Sequence, residues 1–354
     1  MSIRRNRPLR GAIVGFGNVA VEGHLPTWTA DRHFAIHAVC DADPTRLAHA
    51  EEVLPSARRY AVLEEMLEHE RLDFVDVATP PASHPSIVQA VVEQNVHVLC
   101  EKPLALTTDA CNKIRTASSQ AGVVVFTVHN WKYAPIIRTA KRVLRRGELG
   151  KLTELRLETL RTTPPGGAAD ADWRLDPNVA GGGIFVDHGW HALYLALHLL
   201  DASPMAITAR LSQRKFTSGT TEDTAECTIE FPGAVATIFL TWAAEARSNT
   251  GSITGARGSL TIADRTLTVS CPGREPTETA FAEPLSAGSY HPEWFAAMVE
   301  DFREELLEPE TRGHNFLEAE TTSRLIELGY RSHSAGGVRI PFDEPLPPAE
   351  PSGD

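Results

Sequence analysis

The sequence lacks the features of secreted, membrane-spanning and nucleic-acid-binding chains. Its basic opening, "MSIRRNRPLR", has no apolar core of the kind found in a signal peptide, and no uninterrupted apolar run is long enough to span a bilayer. Five cysteines show neither CxxC pairing nor the spacing of a disulfide framework, which indicates reduced thiols in a cytoplasmic protein. The chain carries 34 basic and 46 acidic residues, and the net charge of −12 argues against a general nucleic-acid binder.

Length and composition favour two soluble globular domains. At 354 residues the chain is about twice the length of a typical single domain. Hydrophobic residues make up 42% and charged residues 23% of the chain, both ordinary values for a globular protein. Residues 342–354 are rich in proline and acidic side chains, and we expect them to form a mobile tail.

A glycine-rich turn follows the first apolar strand, "AIV". The pattern G-x-G-x-x-A begins at Gly15, which allows a tight turn, and Gly17 lets a pyrophosphate approach. Ala20 keeps the next helix close to the strand, and the amides at the start of that helix face the phosphates. We therefore expect a dinucleotide to contact Gly15, Gly17, Asn18, Val19 and Ala20.

The second strand predicts which dinucleotide binds. The segment "FAIHAVCDADP" carries Asp41 at the end of its apolar run, twenty-one positions after Ala20. A carboxylate there accepts hydrogen bonds from the adenosine ribose hydroxyls and repels a 2′-phosphate. NAD is therefore favoured over NADP, although the nearby Arg46 leaves NADP open.

Strand-like and helical segments continue to alternate up to about residue 130. Three further strands end at Thr79, at Lys102 and near Asn130. This rhythm predicts an α/β Rossmann domain with a doubly wound parallel sheet over residues 1–130, and the last helix of the chain is expected to pack back on it. Ligands of such sheets bind beyond the carboxyl ends of the strands, where these three residues lie.

The rhythm changes in the second part of the chain, residues 131–341. Strand-like segments such as "KLTELRLETLR" and "TAECTIEF" follow one another, most of them without intervening helices. We therefore expect an α+β domain built on a large, open and mostly antiparallel sheet. An open sheet has a face to cover, so self-association as a homodimer or homotetramer is expected across it.

One segment, "AGGGIFVDHGWHALYLALHLL", places ionisable residues at the start of a buried apolar helix. Asp187 and His191 are four residues apart and Tyr194 is three further on, so all three share one helical face. Three glycines precede them and allow another backbone or a ligand to come close. The spacing favours one wall of an active site.

These motifs together resemble the Gfo/Idh/MocA family of NAD(P)-dependent oxidoreductases over nearly everything from residue 9 to 341. The stretches that carry the resemblance are "GFGNVAVEGHLP", "ATPPASHP", "CEKPLAL", "NWKYAP", "DWRLDPNVAGGGIFVDHGWH", "TEDTAECTIEF" and "GARGSL". It implies a Rossmann domain, an α/β domain with an open sheet, and an active site between them. It also implies hydride transfer at one hydroxyl–carbonyl centre of a sugar, a cyclitol or a derivative.

The resemblance also implies roles for individual residues. Cofactor contacts are expected at Asp41, Thr79, Pro80, His84, Glu101, Lys102, Asn130 and Trp173. Substrate contacts are expected at Lys102, Lys132, Arg174, Asp187, His188 and His191. Lys102, Asp187 and His191 are the expected catalytic residues.

Elementary chemistry supports two of these catalytic assignments. A hydroxyl that loses hydride must also lose a proton, and imidazole, the side chain at His191, is the group whose ordinary pKa lies nearest to neutral pH. The ammonium of Lys102 can stabilise a developing alkoxide. The competing interpretation of His191 is a histidine that only packs in the core, and that of Lys102 is an ordinary surface lysine.

Other positions leave alternatives open. Three roles are open for Asp187: it contacts the substrate hydroxyl, it orients His191, or its carboxylate stabilises the start of the helix through the helix dipole. His188 lines the substrate pocket or packs under the second sheet. Family members often carry an acidic residue where this chain has Tyr194, which puts the orientation of His191 in doubt. We expect no metal site, because "DHGWH" supplies no third ligand on the same face.

Two competing functions use the same fold. In the first, the protein hydrolyses glycosides through a transient oxidation and retains NAD. In the second, it is a ligand-sensing regulator without catalytic activity. Retention of Lys102, Asp187 and His191 favours the dehydrogenase or the reverse ketoreductase over the regulator.

Overall fold

The computed structural model describes residues 7–165, 173–217 and 221–343, and the chain divides into two compact units. The first unit contains residues 1–106, 110–133 and 288–320. The second contains residues 107–109, 134–287 and 321–354. Most of the tail that was predicted to be mobile, residues 344–354, lies outside the described residues.

The strands belong to two sheets, one in each unit. Those of the first are β1 (Leu9–Val14), β2 (Phe34–Cys40), β3 (Arg58–Tyr60), β4 (Phe74–Val77), β5 (His97–Cys100) and β6 (Val125–Thr127). Those of the second are β7 (Leu152–Leu160), β8 (Ala206–Ser212), β9 (Thr224–Phe231), β10 (Ala234–Thr241), β11 (Ser248–Gly255), β12 (Gly258–Ala263), β13 (Thr266–Ser270), β14 (Thr277–Ala280) and β15 (Ile340–Pro341).

The helices connect and cover these strands. They are α1 (Leu25–Ala30), α2 (Pro44–Val53), α3 (Leu63–His69), α4 (His84–Glu93), α5 (Thr108–Ala121), α6 (Pro135–Arg145), α7 (Pro177–Ala180), α8 (Ile184–Asp187), α9 (Gly189–Leu200), α10 (Pro292–Leu307) and α11 (His314–Ser334). A wide π-type turn covers Val19–His24, and short 3₁₀ turns cover Pro81–Ser83, Asn130–Tyr133, Trp173–Leu175 and Pro309–Thr311. Within the described ranges, no helix is long and apolar enough to cross a membrane.

The sheet of the first unit is parallel and has the strand order β3-β2-β1-β4-β5-β6. This order is that of the Rossmann dinucleotide-binding folds, in which ligands bind at the carboxyl ends of the strands. The predicted doubly wound parallel sheet is confirmed.

An aromatic core explains why residues 288–320 belong to the first unit, although the sequence grouped them with the second domain. The apolar face of α10 carries Phe295 and Phe302, both almost fully buried. The ring of Phe302 lies 6.0 Å from that of Phe74 on β4, and Phe295 lies 5.4 Å from Trp28 on α1. Edge-to-face ring pairs at these distances add to the hydrophobic gain of burial, so α10 is an integral part of this core.

The sheet of the second unit has the order β14-β13-β12-β11-β7-β10-β9-β8-β15. Its ladders are antiparallel except for the parallel pair β7–β10, which confirms the predicted mostly antiparallel sheet. Along β7, Leu155, Leu157 and Thr159 are buried, whereas Arg156 and Glu158 are exposed. This alternation gives the sheet one covered and one open face, and α9 packs on β7 and β10.

Candidate active site

The glycine-rich turn has the shape that a bound pyrophosphate requires. Gly15 adopts a φ of +87°, and a side chain there would overlap Thr79 and the Ala78 backbone at the end of β4. A Cβ at Gly17 would meet only the guanidinium of Arg46, at 3.8 Å. The backbone at Gly17 is therefore open to the approach of a phosphate.

Asp41 lies directly behind this turn, at the end of β2. One carboxylate oxygen accepts a hydrogen bond of 2.6 Å from the amide of Phe16, and the other accepts one of 2.9 Å from the amide of Asp43. Arg46 Nη1 lies 3.4 Å from the first oxygen. Asp41 thus holds the glycine turn in place, and a cation lies beside it.

The Asp41→Ala variant should bind NAD about 10- to 100-fold more weakly, because charge-assisted hydrogen bonds are lost. It should also discriminate less against NADP, since Arg46 remains to meet a 2′-phosphate. Titration with both nucleotides measures the two effects. Asp43→Ala is the control for a neighbouring carboxylate, which caps α2 and lies 3.7 Å from Arg46 Nε. An unchanged preference between the nucleotides would refute the assignment of Asp41.

His84, predicted as a cofactor contact, is fully buried. Its Nδ1 lies 2.7 Å from the carbonyl oxygen of Pro103, and its Nε2 lies 2.8 Å from that of Thr79. The imidazole therefore joins the loop after β4 to the loop after β5. This geometry supports a role for His84 in fixing the two loops that are predicted to contact the cofactor.

Asn130 and Lys132 follow β6 and were predicted to contact cofactor and substrate. Asn130 Oδ1 is buried and has no hydrogen-bond partner among the described residues, so it can accept a bond from a bound group. Lys132 Nζ donates instead to Glu318 Oε2 at 2.5 Å. Burial opposes the charge on Glu318, but Lys132 and His129 lower its pKa to about 2. Lys132 is therefore one partner of a half-buried ion pair.

A charged network that the sequence did not predict lies beneath the Glu-Lys-Pro loop. His24 is buried, with Nδ1 3.0 Å from Asp76 Oδ2 and Nε2 3.1 Å from Glu101 Oε1. Trp28 Nε1 donates to the same Asp76 oxygen at 2.7 Å, and the His24 ring stacks on Phe295 at 3.9 Å. Burial lowers the pKa of His24, but the two carboxylates raise it to about 9, so His24 is a cation at neutral pH.

This network positions the backbone of Lys102. Glu101 Oε2 accepts a hydrogen bond of 2.9 Å from the Lys102 amide, while its other oxygen contacts His24. Burial opposes the charge on Glu101, yet His24 and Lys102 lower its pKa below the ordinary value. The chain from Asp76 through His24 and Glu101 therefore fixes the residue that carries the predicted catalytic ammonium.

In the second unit, Glu222 fixes the start of the helices that carry Asp187 and His191. Its Oε1 accepts hydrogen bonds of 3.0 Å from the amides of Gly183 and Phe185, and one of 2.8 Å from the hydroxyl of Tyr330. A side chain at Gly183 would overlap the Glu222 backbone, which explains the last of the three glycines. Burial raises the pKa of Glu222 above its ordinary value, although these three bonds oppose the rise.

Tyr194 orients His191. Its hydroxyl lies 2.8 Å from His191 Nδ1, and both side chains are buried. A hydroxyl can accept from a protonated Nδ1 or donate to a bare one, so it serves both tautomers. Asp187 Oδ2 lies 3.0 Å from His188 Nδ1. Tyr194 thus makes the orienting contact to His191.

The Tyr194→Phe variant should lower kcat about 3- to 10-fold, because one hydrogen bond to the histidine is lost. Tyr194→Glu should move the acid limb of the pH–rate profile for alcohol oxidation to higher pH, since a carboxylate stabilises the imidazolium. Steady-state kinetics across pH measures both effects. Unchanged profiles in both variants would mean that Tyr194 only packs.

Trp173 and Arg174 lie in a half-buried 3₁₀ turn of the second unit. The Arg174 guanidinium lies 4.3 Å from the centre of the Trp173 ring, which gives the pair a defined cation–π geometry. The segment just before them, residues 166–172, is outside the described part of the chain. Within the described part, no group of three or more His, Cys, Asp or Glu side chains is placed to hold a metal ion.

Curated relatives of this chain include two sugar dehydrogenases. The D-apiose dehydrogenase of Paraburkholderia graminis is 36% identical over 141 residues, which are 40% of this chain and 37% of that protein. The D-xylose 1-dehydrogenase (NADP⁺) 2 of Haloferax volcanii is 28% identical over 218 residues, 62% of each chain. The matches thus span less than two thirds of either relative.

Structural and family comparisons cover more of the chain. An inositol dehydrogenase homologue from Azotobacter vinelandii, complexed with NAD⁺, superposes with a TM-score of 0.80 at 24% identity, over 96% of this chain and 99% of that one. Residues 9–129 match the oxidoreductase family with an NAD-binding Rossmann fold, and residues 137–261 match the GFO/IDH/MocA C-terminal domain. The chain therefore belongs to the GFO/IDH/MocA family of oxidoreductases, and its first unit is the family's NAD-binding Rossmann fold.

Proposed function

We propose that this protein is an NAD-dependent oxidoreductase that transfers hydride between nicotinamide and a hydroxyl–carbonyl centre of a sugar, a cyclitol or a derivative. The contact between His191 Nδ1 and the Tyr194 hydroxyl carries the proposal, because it holds the imidazole of the expected acid–base residue in one orientation. The family and the sugar dehydrogenases among its relatives support the choice of substrate class.

Three side chains divide the chemistry in this proposal. NAD, when bound, accepts the hydride that leaves the substrate carbon. His191 takes the hydroxyl proton at Nε2, and the ammonium of Lys102 donates a hydrogen bond to the same oxygen as negative charge develops there. Asp187, whose Oδ2 lies 3.0 Å from His188 Nδ1, binds a neighbouring hydroxyl of the substrate.

The cofactor assignment rests on three features of the first unit. The open backbone at Gly17 admits the pyrophosphate, Asp41 accepts from the ribose hydroxyls, and the buried Asn130 Oδ1 accepts from a bound group. Trp173, in the other unit, is assigned to enclosing the nicotinamide end. A relative that uses NADP⁺ and the position of Arg46 make the NADP comparison a necessary control.

The assembly and compartment are also proposals. The open face of the second sheet carries exposed residues such as Val235 and Thr237 beside charged ones, and we assign a homodimer or homotetramer to that face. Ultracentrifugation tests the assembly. All five cysteines are free thiols, which supports a reducing, cytoplasmic location.

The function is tested by following NADH formation across cyclitols, aldoses, sugar acids and glycosides, with Lys102→Ala run beside the parent. Activity on one substrate class, lost in the variant, is the expected result. Release of free sugar from glycosides without accumulation of NADH would instead establish a retained-NAD glycosidase. NAD binding without turnover of any kind, in parent and variant alike, would favour a sensor.

A further inference from the structure

Arg161 is a buried cation at the end of β7. One edge of its guanidinium donates hydrogen bonds to the protein, whereas the opposite edge makes none among the described residues. It follows Leu155, Leu157 and Thr159 on the covered face of the strand, and it is 4% exposed. Its Nη1 donates to the carbonyl oxygens of Leu160 at 2.8 Å and Ser248 at 3.3 Å, and to Asn249 Oδ1 at 2.9 Å. All three acceptors are neutral, so these bonds fix the guanidinium without neutralising it.

The opposite edge of the same guanidinium, formed by Nε and Nη2, has no acceptor among the described residues. Nε is buried without a hydrogen-bond partner, and each side-chain hydrogen bond of Arg161 among the described residues is made through Nη1. In the described ranges, no carboxylate lies within ion-pair distance of it either. A buried charge without a counter-charge costs free energy, so an anion bound at this edge would stabilise the guanidinium. Two parallel N–H donors match a carboxylate.

Trp242 adds a second unengaged donor in the same corner. The amide of Arg161 donates to the carbonyl oxygen of Thr241 at 2.8 Å, so Trp242 continues β10 beside Arg161 on the neighbouring parallel strand. Neighbouring strands lie about 5 Å apart, and both side chains are on the covered face. Trp242 Nε1 is buried and has no hydrogen-bond partner among the described residues. This corner therefore offers donors from two side chains to an oxygen-rich group.

The charges around Arg161 place it within reach of the helix that carries the predicted catalytic residues. Burial and the charge of Arg247 lower the pKa of Arg161, whereas Asp187 and Asp264 raise it, and the resulting pKa is about 10. Arg161 thus remains charged at neutral pH and interacts with Asp187. Asp187 Oδ2 lies 3.0 Å from His188 Nδ1, and Asp264 Oδ2 accepts a hydrogen bond of 2.6 Å from the Ser286 hydroxyl.

We propose that the Nε–Nη2 edge of Arg161, supported by Trp242 Nε1, binds a carboxylate of the substrate. The substrate of the dehydrogenase is then a sugar acid, such as an aldonate or a uronate, and not a neutral sugar. This inference rests on the proposed function, since it names the substrate class of that site. The carboxylate neutralises the buried guanidinium and sets which hydroxyl faces the acid–base residues.

The test compares matched acidic and neutral ligands on protein loaded with NADH, so that no hydroxyl can be oxidised during the measurement. Calorimetry is run on a panel of aldonates and methyl uronosides, each beside the alditol or methyl glycoside that lacks only the carboxylate. At least one acid should bind about 10- to 100-fold more tightly than its partner. Arg161→Lys and Arg161→Gln should abolish this difference. Arg156→Gln, on the open face of the same strand, should keep it.

Equal binding of every acid and its neutral partner would overturn the inference, and so would a preference that survives in both Arg161 variants. Stronger binding of alditol phosphates, measured beside the panel, than of aldonates would overturn it as well. A loss of acidic and neutral ligands alike in Arg161→Lys would also do so, by showing that the residue only supports the fold. NADH affinity and thermal stability are measured on each variant. Turnover of neutral sugars alone would contradict the inference and leave the dehydrogenase intact, whereas an acid that binds without ever being oxidised would contradict the dehydrogenase.

Discussion

Replacing His191 with alanine should lower turnover by about 10²–10⁴ while the protein stays folded and binds NAD. The imidazole is held at Nδ1 by Tyr194, so it can accept the hydroxyl proton at Nε2 in a fixed direction. Alanine removes the proton acceptor, and water has to take its place. Single-turnover kinetics with saturating NAD separates this loss of chemistry from any change in cofactor binding.

His198→Ala provides the control for that experiment. His198 lies two turns further along α9 and is half-buried, and it is its backbone carbonyl that accepts from Lys141 Nζ at 2.5 Å. This variant should keep most of the activity. If His191→Ala unfolds the protein, or leaves kcat within a factor of about three of the parent, then His191 is a core histidine and the acid–base assignment is wrong.

Replacing His24 with leucine should destabilise the protein by about 3–5 kcal/mol, the second large effect that we expect. The imidazolium lies between two buried or half-buried carboxylates, Asp76 and Glu101. Leucine fills part of the volume but leaves both carboxylates without their counter-charge. Denaturant unfolding measures the loss. The double variant His24→Leu/Asp76→Asn should recover part of it, because only one buried carboxylate then remains unpaired.

The charge of His24 also predicts how stability depends on pH. Its pKa rises from 6.5 in the unfolded chain to about 9 in the folded protein. The stabilisation is therefore complete below pH 6.5 and is lost as the pH rises towards 9, by at most about 3 kcal/mol. His24→Leu should lose this part of the pH dependence. A parent protein whose unfolding midpoint is the same at both ends of this range would show that His24 is neutral when folded.

The fold could be predicted where the pattern of apolar residues decides the structure. Strands β1, β2, β4, β5 and β6 are apolar runs, whereas the edge strand β3 reads Arg-Arg-Tyr and carries no such pattern. The position of α10 could not be predicted either. Its amphipathic face requires a partner, but spacing along the chain does not identify Phe74 of β4 as that partner.

The site shows the same limit. Glycine spacing predicted the open turn at Gly17, and the helical face predicted Tyr194 beside His191. Asp76 within the apolar strand "FVDV" was the available signal for a buried charge, but its partner His24 is 52 residues away in the chain. Arg161 similarly continues the alternation of buried and exposed residues along β7. That its Nε has no hydrogen-bond partner could be learned only from the three-dimensional structure.

Transfer of deuterium from a labelled substrate to NAD tests the central claim most directly. The substrate found in the panel is deuterated at the carbon that carries the reactive hydroxyl, and the reduced cofactor is analysed by mass spectrometry. We expect one deuterium in each NADH, one oxidised product for each NADH, and loss of both in Lys102→Ala and His191→Ala. NADH without deuterium, or a converted substrate without net NADH, would contradict it.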